Sequence, residues 1–161
     1  MARFLRAIRQ RRWFTYPDID WLPQGELQAD ALLDLRTVGN SISLYEIRDD
    51  SDELRIATAL AANRDNVDVI DYAVFEDSQF TELDLAVSQS VGETPDATVN
   101  SLHYDLLNLT ARQVGGLAEV ISNGAHTRIP RKTVSSLLAE AIEVERLDRE
   151  RIKLSLLSRL Q

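Results

Sequence analysis

Cysteine is absent from this chain of 161 residues, and histidine occurs only twice, as His103 and His126. Without cysteine the protein can form no disulfide bond, no thiolate nucleophile and no cysteine-ligated zinc site. The two histidines are too far apart along the chain for a His-x-x-x-His zinc motif, and the sequence contains neither a phosphate-binding loop nor a dinucleotide-binding fingerprint. We therefore expect no metal ion and no cofactor.

Long apolar runs are also missing. No stretch reaches the about 20 apolar residues that a helix needs to cross a bilayer, and the N-terminus lacks the apolar core of a secretory signal. The chain is 44% apolar and 27% charged, which is typical of an ordinary globular domain. We expect a cytoplasmic protein of bacterial or phage origin, with no transmembrane segment.

What the chain does contain is charge that is sorted into blocks. Residues 1–12 hold five arginines and no acid, whereas residues 46–105 hold fifteen Asp or Glu against three Arg. This middle block carries a net charge of −12 in a molecule whose net charge is −8. A surface of one sign attracts a partner of the opposite sign and repels nucleic acid. The sequence therefore predicts a basic protein partner.

Three candidate binding surfaces follow from the charge and apolar patterns. The predicted acidic face consists of Asp68, Asp71, Glu76, Asp77, Glu82 and Asp84. The predicted N-terminal arm carries Arg3, Arg6, Arg9, Arg11, Arg12 and Trp13, and it could contact protein, nucleic acid or an anionic membrane. The predicted C-terminal tail carries Ile152, Leu156, Leu157 and Leu160 at helical spacing. We expect this apolar stripe to pack against a second chain, because a charged stretch precedes it.

The apolar periodicity predicts an α+β fold, with a mostly antiparallel sheet of about five strands, helices on one face and a helical C-terminus. Gly39-Asn40 lies between two strand-like runs, 32–38 and 41–48, and predicts a β-hairpin as the first element of the sheet. The run 67–75 is apolar on both sides, which is typical of a strand in the middle of a covered sheet. Further strands are predicted at 83–88 and 101–109.

Helix signals are clearest at three places. Asp50 or Ser51 as N-cap predicts a helix that ends near Asn63, Thr110 with Gln113 has capping-box spacing, and Pro130 suits the start of a later helix. The predicted organisation is an N-terminal arm over 1–24, a single α+β domain over 25–146 and a C-terminal helical tail over 147–161.

Catalysis has one candidate arrangement. His103 and Asp105 share a face of a predicted strand, which resembles a general base with an orienting carboxylate. No serine or threonine lies in a recognisable nucleophile elbow.

Three function classes therefore remain open. The first is a non-catalytic acidic protein that binds a basic partner, either as an inhibitor or immunity-type protein or as an adaptor or assembly subunit. The second is a nucleic-acid-associated regulator that uses the arginine and aromatic arm. The third, which the sequence favours least, is a small hydrolase around His103 and Asp105.

Overall fold

A six-stranded antiparallel sheet organises the residues that the computed structural model describes, which are 1–13, 21–23 and 26–160. The strands are β1 (Arg3–Ile8), β2 (Ile42–Ile47), β3 (Ile70–Glu76), β4 (Ala86–Gln89), β5 (His103–Leu107) and β6 (His126–Ile129). Their order across the sheet is β4-β5-β2-β1-β3-β6. The predicted α+β class with a mostly antiparallel sheet is confirmed, with six strands in place of about five.

Seven α-helices accompany the sheet within these ranges. They are α1 (Gln10–Trp13), α2 (Asp50–Ala62), α3 (Asp77–Glu82), α4 (Ala97–Asn100), α5 (Ala111–Asn123), α6 (Arg131–Glu143) and α7 (Leu154–Leu157). Two 3-10 helices lie at Ala29–Leu35 and Arg149–Arg151. The longest of these helices has 13 residues, and none of them combines the length and hydrophobicity that a membrane span requires.

The three predicted long helices are present, although the N-cap of α2 is Asp49 and not the predicted Asp50 or Ser51. Asp49 caps α2 and Asn63 ends it, while Thr110 and Gln113 form the capping box of α5. Pro130 directly precedes α6. These boundaries were predictable because each cap satisfies backbone N–H groups through residues that are adjacent in sequence.

Helices cover both faces of the sheet, whereas the sequence predicted them on one face only. The central strands carry apolar side chains on both sides, and each side needs a cover. On one face Leu5, Tyr45 and Tyr72 pack with residues of α2, α4, α6 and α7. On the other face Phe4 and Phe75 pack with residues of α3, α5 and the first 3-10 helix. The sheet is therefore the middle of three layers.

The Gly39-Asn40 turn is present, but the predicted hairpin is not. Both residues have positive φ, 59° and 61°, and Val38 bridges to Ser41 across the turn, as expected for a two-residue turn. The run before the turn forms the 3-10 helix Ala29–Leu35 instead of a strand. β2 therefore pairs with β1 and β5.

The N-terminal basic segment forms β1 and lies in the middle of the sheet. Arg3 pairs with Ile47 of β2 on one side and with Glu76 of β3 on the other. Phe4 and Leu5 point to opposite faces, and both are buried. Residues 3–8 thus belong to the domain and not to an appended arm, because their alternating apolar side chains fill both cores. Residues 14–20 and 24 of the predicted arm lie outside the described residues.

The C-terminal residues also pack onto their own domain. The four apolar residues of the predicted tail are buried or half-buried against the core that contains α2 and α6; they are Ile152, Leu156, Leu157 and Leu160. The backbone N–H of Asp148 donates to the carbonyl of Pro95 at 2.8 Å, which fixes the path of the chain before α7. The apolar stripe that we expected to pack against a second chain therefore packs against the core of its own chain.

Neighbouring leucines in α7 provide a test of this packing. Leu156 is fully buried and Leu154 is 83% exposed. Leu156→Ala should lower the free energy of unfolding by about 2–5 kcal/mol, because it leaves a cavity in the core. Leu154→Ala, the matched control, should change it by less than about 0.5 kcal/mol. Urea unfolding measures both, and equal effects would contradict the observed packing.

Candidate functional site

The six carboxylates of the predicted acidic face do not form one surface. Two lie at the start of β3 and four lie at its end or beyond, and the strand separates the two groups by about 20 Å. Asp71 is also only 4% exposed, and it accepts two hydrogen bonds from Arg128 at 2.7 and 2.9 Å. The groups are Asp68 with Asp71, and Glu76, Asp77, Glu82 with Asp84.

A tight contact between the α3–β4 turn and α5 shapes the surface around the larger group. The side-chain amide of Gln113 donates to the carbonyls of Leu83 and Asp84, at 3.3 and 2.8 Å. Leu83 packs so closely on α5 that a Cβ at Gly116 would lie 2.4 Å from its Cδ2 atom. Glycine at 116 therefore allows the turn and the helix to approach each other.

Two adjoining depressions, with volumes of about 340 and 750 Å³, lie along this contact and share Glu82 and Glu119 in their lining. We call them together the acidic groove. Its exposed charged residues are three carboxylates and one arginine, a net charge of −2: Glu82, Asp84, Glu119 and Arg112. Gly115 lines the groove with nothing within 4 Å of its Cβ position, so the helix backbone is open to a ligand there.

The basic residues of the predicted arm are divided among separate sites. Arg3 pairs with Glu53 at 2.9 Å. Arg6 donates to backbone carbonyls inside the fold, among them that of Ser43 at 2.7 Å. The carboxylate of Asp34 holds both the Arg12 guanidinium at 2.8 Å and the Trp13 indole N–H at 2.9 Å. Two further arginines line a cleft at the start of β3, namely Arg9 and Arg11. These residues therefore do not form one basic surface.

His103 and Asp105 do lie together, and a residue that the sequence analysis missed joins them. The hydroxyl oxygen of Ser90 is 2.7 Å from His103 Nδ1 and donates to Asp105 Oδ2 at 2.6 Å. Ser43 donates to the other carboxylate oxygen at 3.1 Å. The sequence around Ser90 contains no motif that predicts this contact. Ser90 reaches the cluster because the chain after β4 pairs with β5, where its backbone N–H donates to the carbonyl of His103 at 3.1 Å.

The order of groups in this cluster differs from that of a catalytic triad. In a triad the imidazole lies between the serine and the carboxylate, so that it can accept the hydroxyl proton. Here the Ser90 hydroxyl lies between His103 and Asp105. With Ser43 on β2, the cluster joins three neighbouring segments of the sheet. The arrangement supports a structural role.

Comparisons with known proteins identify no protein that is similar to this chain. No family model matches the chain, and neither a curated protein nor a solved structure is significantly similar to it. Within the described ranges, no three His, Asp or Glu side chains are grouped as metal ligands.

The His103 cluster makes stability depend on pH. Burial lowers the pKa of His103, and the opposing charges of Asp105 and Glu93 do not cancel this effect. The unfolded chain, with a histidine pKa of about 6.5, then binds the proton more readily than the native state does. The free energy of unfolding should therefore fall as the pH drops below about 6.5 and through the native pKa.

Two histidine variants test this pH dependence. His103→Asn retains a donor toward Ser90 but removes the titration, so its stability should vary less with pH than that of the natural protein. His126→Asn serves as the control and should leave the dependence in place. Denaturant unfolding on both sides of about pH 6.5 measures the difference. An unchanged profile in His103→Asn would assign the dependence to other groups.

The two neighbouring glycines of α5 should respond oppositely to alanine. Gly115→Ala should raise the free energy of unfolding by up to about 1 kcal/mol, because the helix gains a better former and the site is open. Gly116→Ala should not raise the free energy of unfolding in this way, because its Cβ would displace Leu83. Thermal unfolding compares them. Equal stabilisation by both would show that the contact between the turn and α5 is loose.

Proposed function

We propose that this protein is a non-catalytic binding protein whose acidic groove holds a basic segment of a partner protein. It would act as an inhibitor or immunity-type protein, or as an adaptor in a larger assembly. One observation carries the proposal: three exposed carboxylates surround an open groove that contains a single arginine, Arg112. Carboxylates placed around a concavity favour a cationic occupant.

The charge of the whole molecule supports the same partner. The net charge is −8, and exposed Glu76 adds to the negative potential close to the α3 end of the groove. A field of this sign accelerates encounter with a basic protein, and the acceleration falls as salt screens it. Dissociation depends on short-range contacts and responds less.

The dimensions of the groove suit an extended segment. Arg112 and Glu119 are two helical turns apart on α5, a separation of about 10 Å, which matches about three residues of extended chain. Gly115 lies between them without a side chain, so the partner's backbone can approach closely. Lysine or arginine side chains of the segment would then reach Glu82, Asp84 and Glu119.

The other two function classes lack the arrangement that each requires. A nucleic-acid regulator needs its arm arginines on one exposed surface, whereas Arg6 is used inside the fold and Arg3 and Arg12 are paired with carboxylates. A triad hydrolase at His103 and Asp105 needs the imidazole between nucleophile and carboxylate, whereas here the Ser90 hydroxyl lies between them. The acidic groove is the better-supported basis for function.

An octapeptide of alternating arginine and glycine is a suitable probe for the groove. The triple variant Glu82→Gln, Asp84→Asn and Glu119→Gln should lower its affinity at low salt by about tenfold or more. The matched control removes three exposed carboxylates elsewhere, through Glu143→Gln, Glu145→Gln and Glu150→Gln. Stopped-flow fluorescence of the labelled peptide measures association and dissociation at several salt concentrations.

A charge-neutral variant separates the groove from the overall charge. Gly115→Leu fills open space without changing the charge, and it should weaken peptide binding while the helix remains folded. Equal losses from the two triple variants would indicate attraction by net charge alone. That result, or full binding by Gly115→Leu, would overturn the proposed site.

A further inference from the structure

A second concavity lies at the opposite end of β3 from the acidic groove. It is a cleft of about 490 Å³ between the end of β1, the loop that follows α2 and the start of β3. Four arginines and three aspartates line it. We call it the arginine cleft; its charged lining residues are Arg9, Arg11, Arg64, Arg128, Asp65, Asp68 and Asp71.

Two of the three aspartates are already neutralised by cations. Asp71 lies directly opposite Arg128 in the β3–β6 ladder and accepts two hydrogen bonds from its guanidinium group, at 2.7 and 2.9 Å. Asp65 pairs with Lys153 at 2.9 Å. Asp68 is the remaining carboxylate of the lining. The cleft therefore retains an excess of positive charge although the molecule as a whole is acidic.

Arg64 and Arg9 supply this excess. Arg64 is half-buried and donates to the carbonyl of Val69 at 2.7 Å, and among the described residues neither arginine forms an ion pair with a carboxylate. Burial lowers the pKa of Arg64, Asp68 opposes this effect, and the positive charge of Arg9 adds to it. Asp68 compensates the burial of Arg64 only in part, so a further anion beside Arg64 and Arg9 would stabilise the charged guanidinium.

We propose that the arginine cleft binds the phosphate group of a small phosphorylated molecule, with Arg9 and Arg64 as its principal ligands. Guanidinium groups match the geometry of phosphate oxygens and remain charged at all physiological pH values. A dianionic phosphate would also relieve the repulsion between the two arginines, which a neutral ligand would not.

The rest of the lining indicates the remainder of the ligand. Asp68 and Asn66 lie in the same cleft and offer acceptors for hydroxyl or amino groups, while Ile8 and Val69 offer a small apolar surface. The volume lies within the range of small-molecule pockets, about 300–1,000 Å³. A nucleotide or sugar phosphate has this combination of groups. A polynucleotide is less suitable, because a net charge of −8 repels a polyanion.

Calorimetric titration of the full chain tests the proposal with defined probes. Inorganic phosphate, glucose 6-phosphate and AMP are compared with glucose and adenosine, which lack phosphate. At least one of the two phosphate esters should bind about tenfold or more tightly than its dephosphorylated form, as charge-assisted hydrogen bonds require. Arg9→Gln, which changes an exposed side chain, should reduce this binding by a similar factor.

Further variants protect the test against a folding artefact. Arg64→Lys keeps the positive charge but loses the planar guanidinium group that can donate two parallel hydrogen bonds to phosphate. It should therefore weaken phosphate binding less than Arg64→Gln does. Arg112→Gln, in the acidic groove, is the matched control and should bind as the natural protein does. Circular dichroism confirms folding of each variant.

Three results would overturn the proposal. The first is absence of binding for all three phosphate compounds at millimolar concentration. The second is equal binding of each ester and its dephosphorylated form. The third is tighter binding of a thymidylate oligonucleotide without terminal phosphates, lost in Arg9→Gln, which would assign the cleft to nucleic acid.

Discussion

The position of β1 between β2 and β3 is the constraint on which the rest of the structure depends. β4, β5 and β2 lie on one side of this strand and β3 and β6 on the other, so β1 joins the two halves of the sheet. Asp34 anchors the chain at its end. Its carbonyl accepts two hydrogen bonds from Arg6, and its carboxylate accepts the backbone N–H of Arg9 at 2.7 Å. The basic N-terminus is thus a structural element of the domain.

The central position of β1 explains why the charge blocks of the sequence do not form continuous surfaces of one charge. Arg3 and Arg12 are paired with carboxylates of other elements, and Asp71 is paired across strands with Arg128. Two groups of the remaining charged residues line concave surfaces near the two ends of β3. One end carries the acidic groove and the other the arginine cleft, about 20 Å apart along the strand. The fold therefore places two concave surfaces with different charged linings on one sheet.

Features governed by neighbouring residues were predictable from the sequence. The start of α5 follows from the capping box at Thr110, the start of α2 was predicted to within one or two residues of its cap at Asp49, and the turn at Gly39-Asn40 follows from its backbone preference. The central position of β3 follows from its apolar residues on both sides. The candidate site was predicted in part: Glu82 and Asp84 were expected at the surface, whereas Glu119 and Gly115 join them only because α5 packs beside the α3–β4 turn.

The sequence by itself determined the α+β class, the long helices and the absence of cysteine chemistry, because local propensity, capping and composition act over a few residues. Tertiary structure alone decided that β1 lies beside β2. Residues 3–8 are too few for helical and strand periodicity to be distinguished, so the sequence did not predict a strand there. It also decided that Ser90 meets His103 and that Arg64 shares a cleft with Arg9. Such contacts join residues far apart in the chain, and their energies depend on burial and pairing that no local pattern contains.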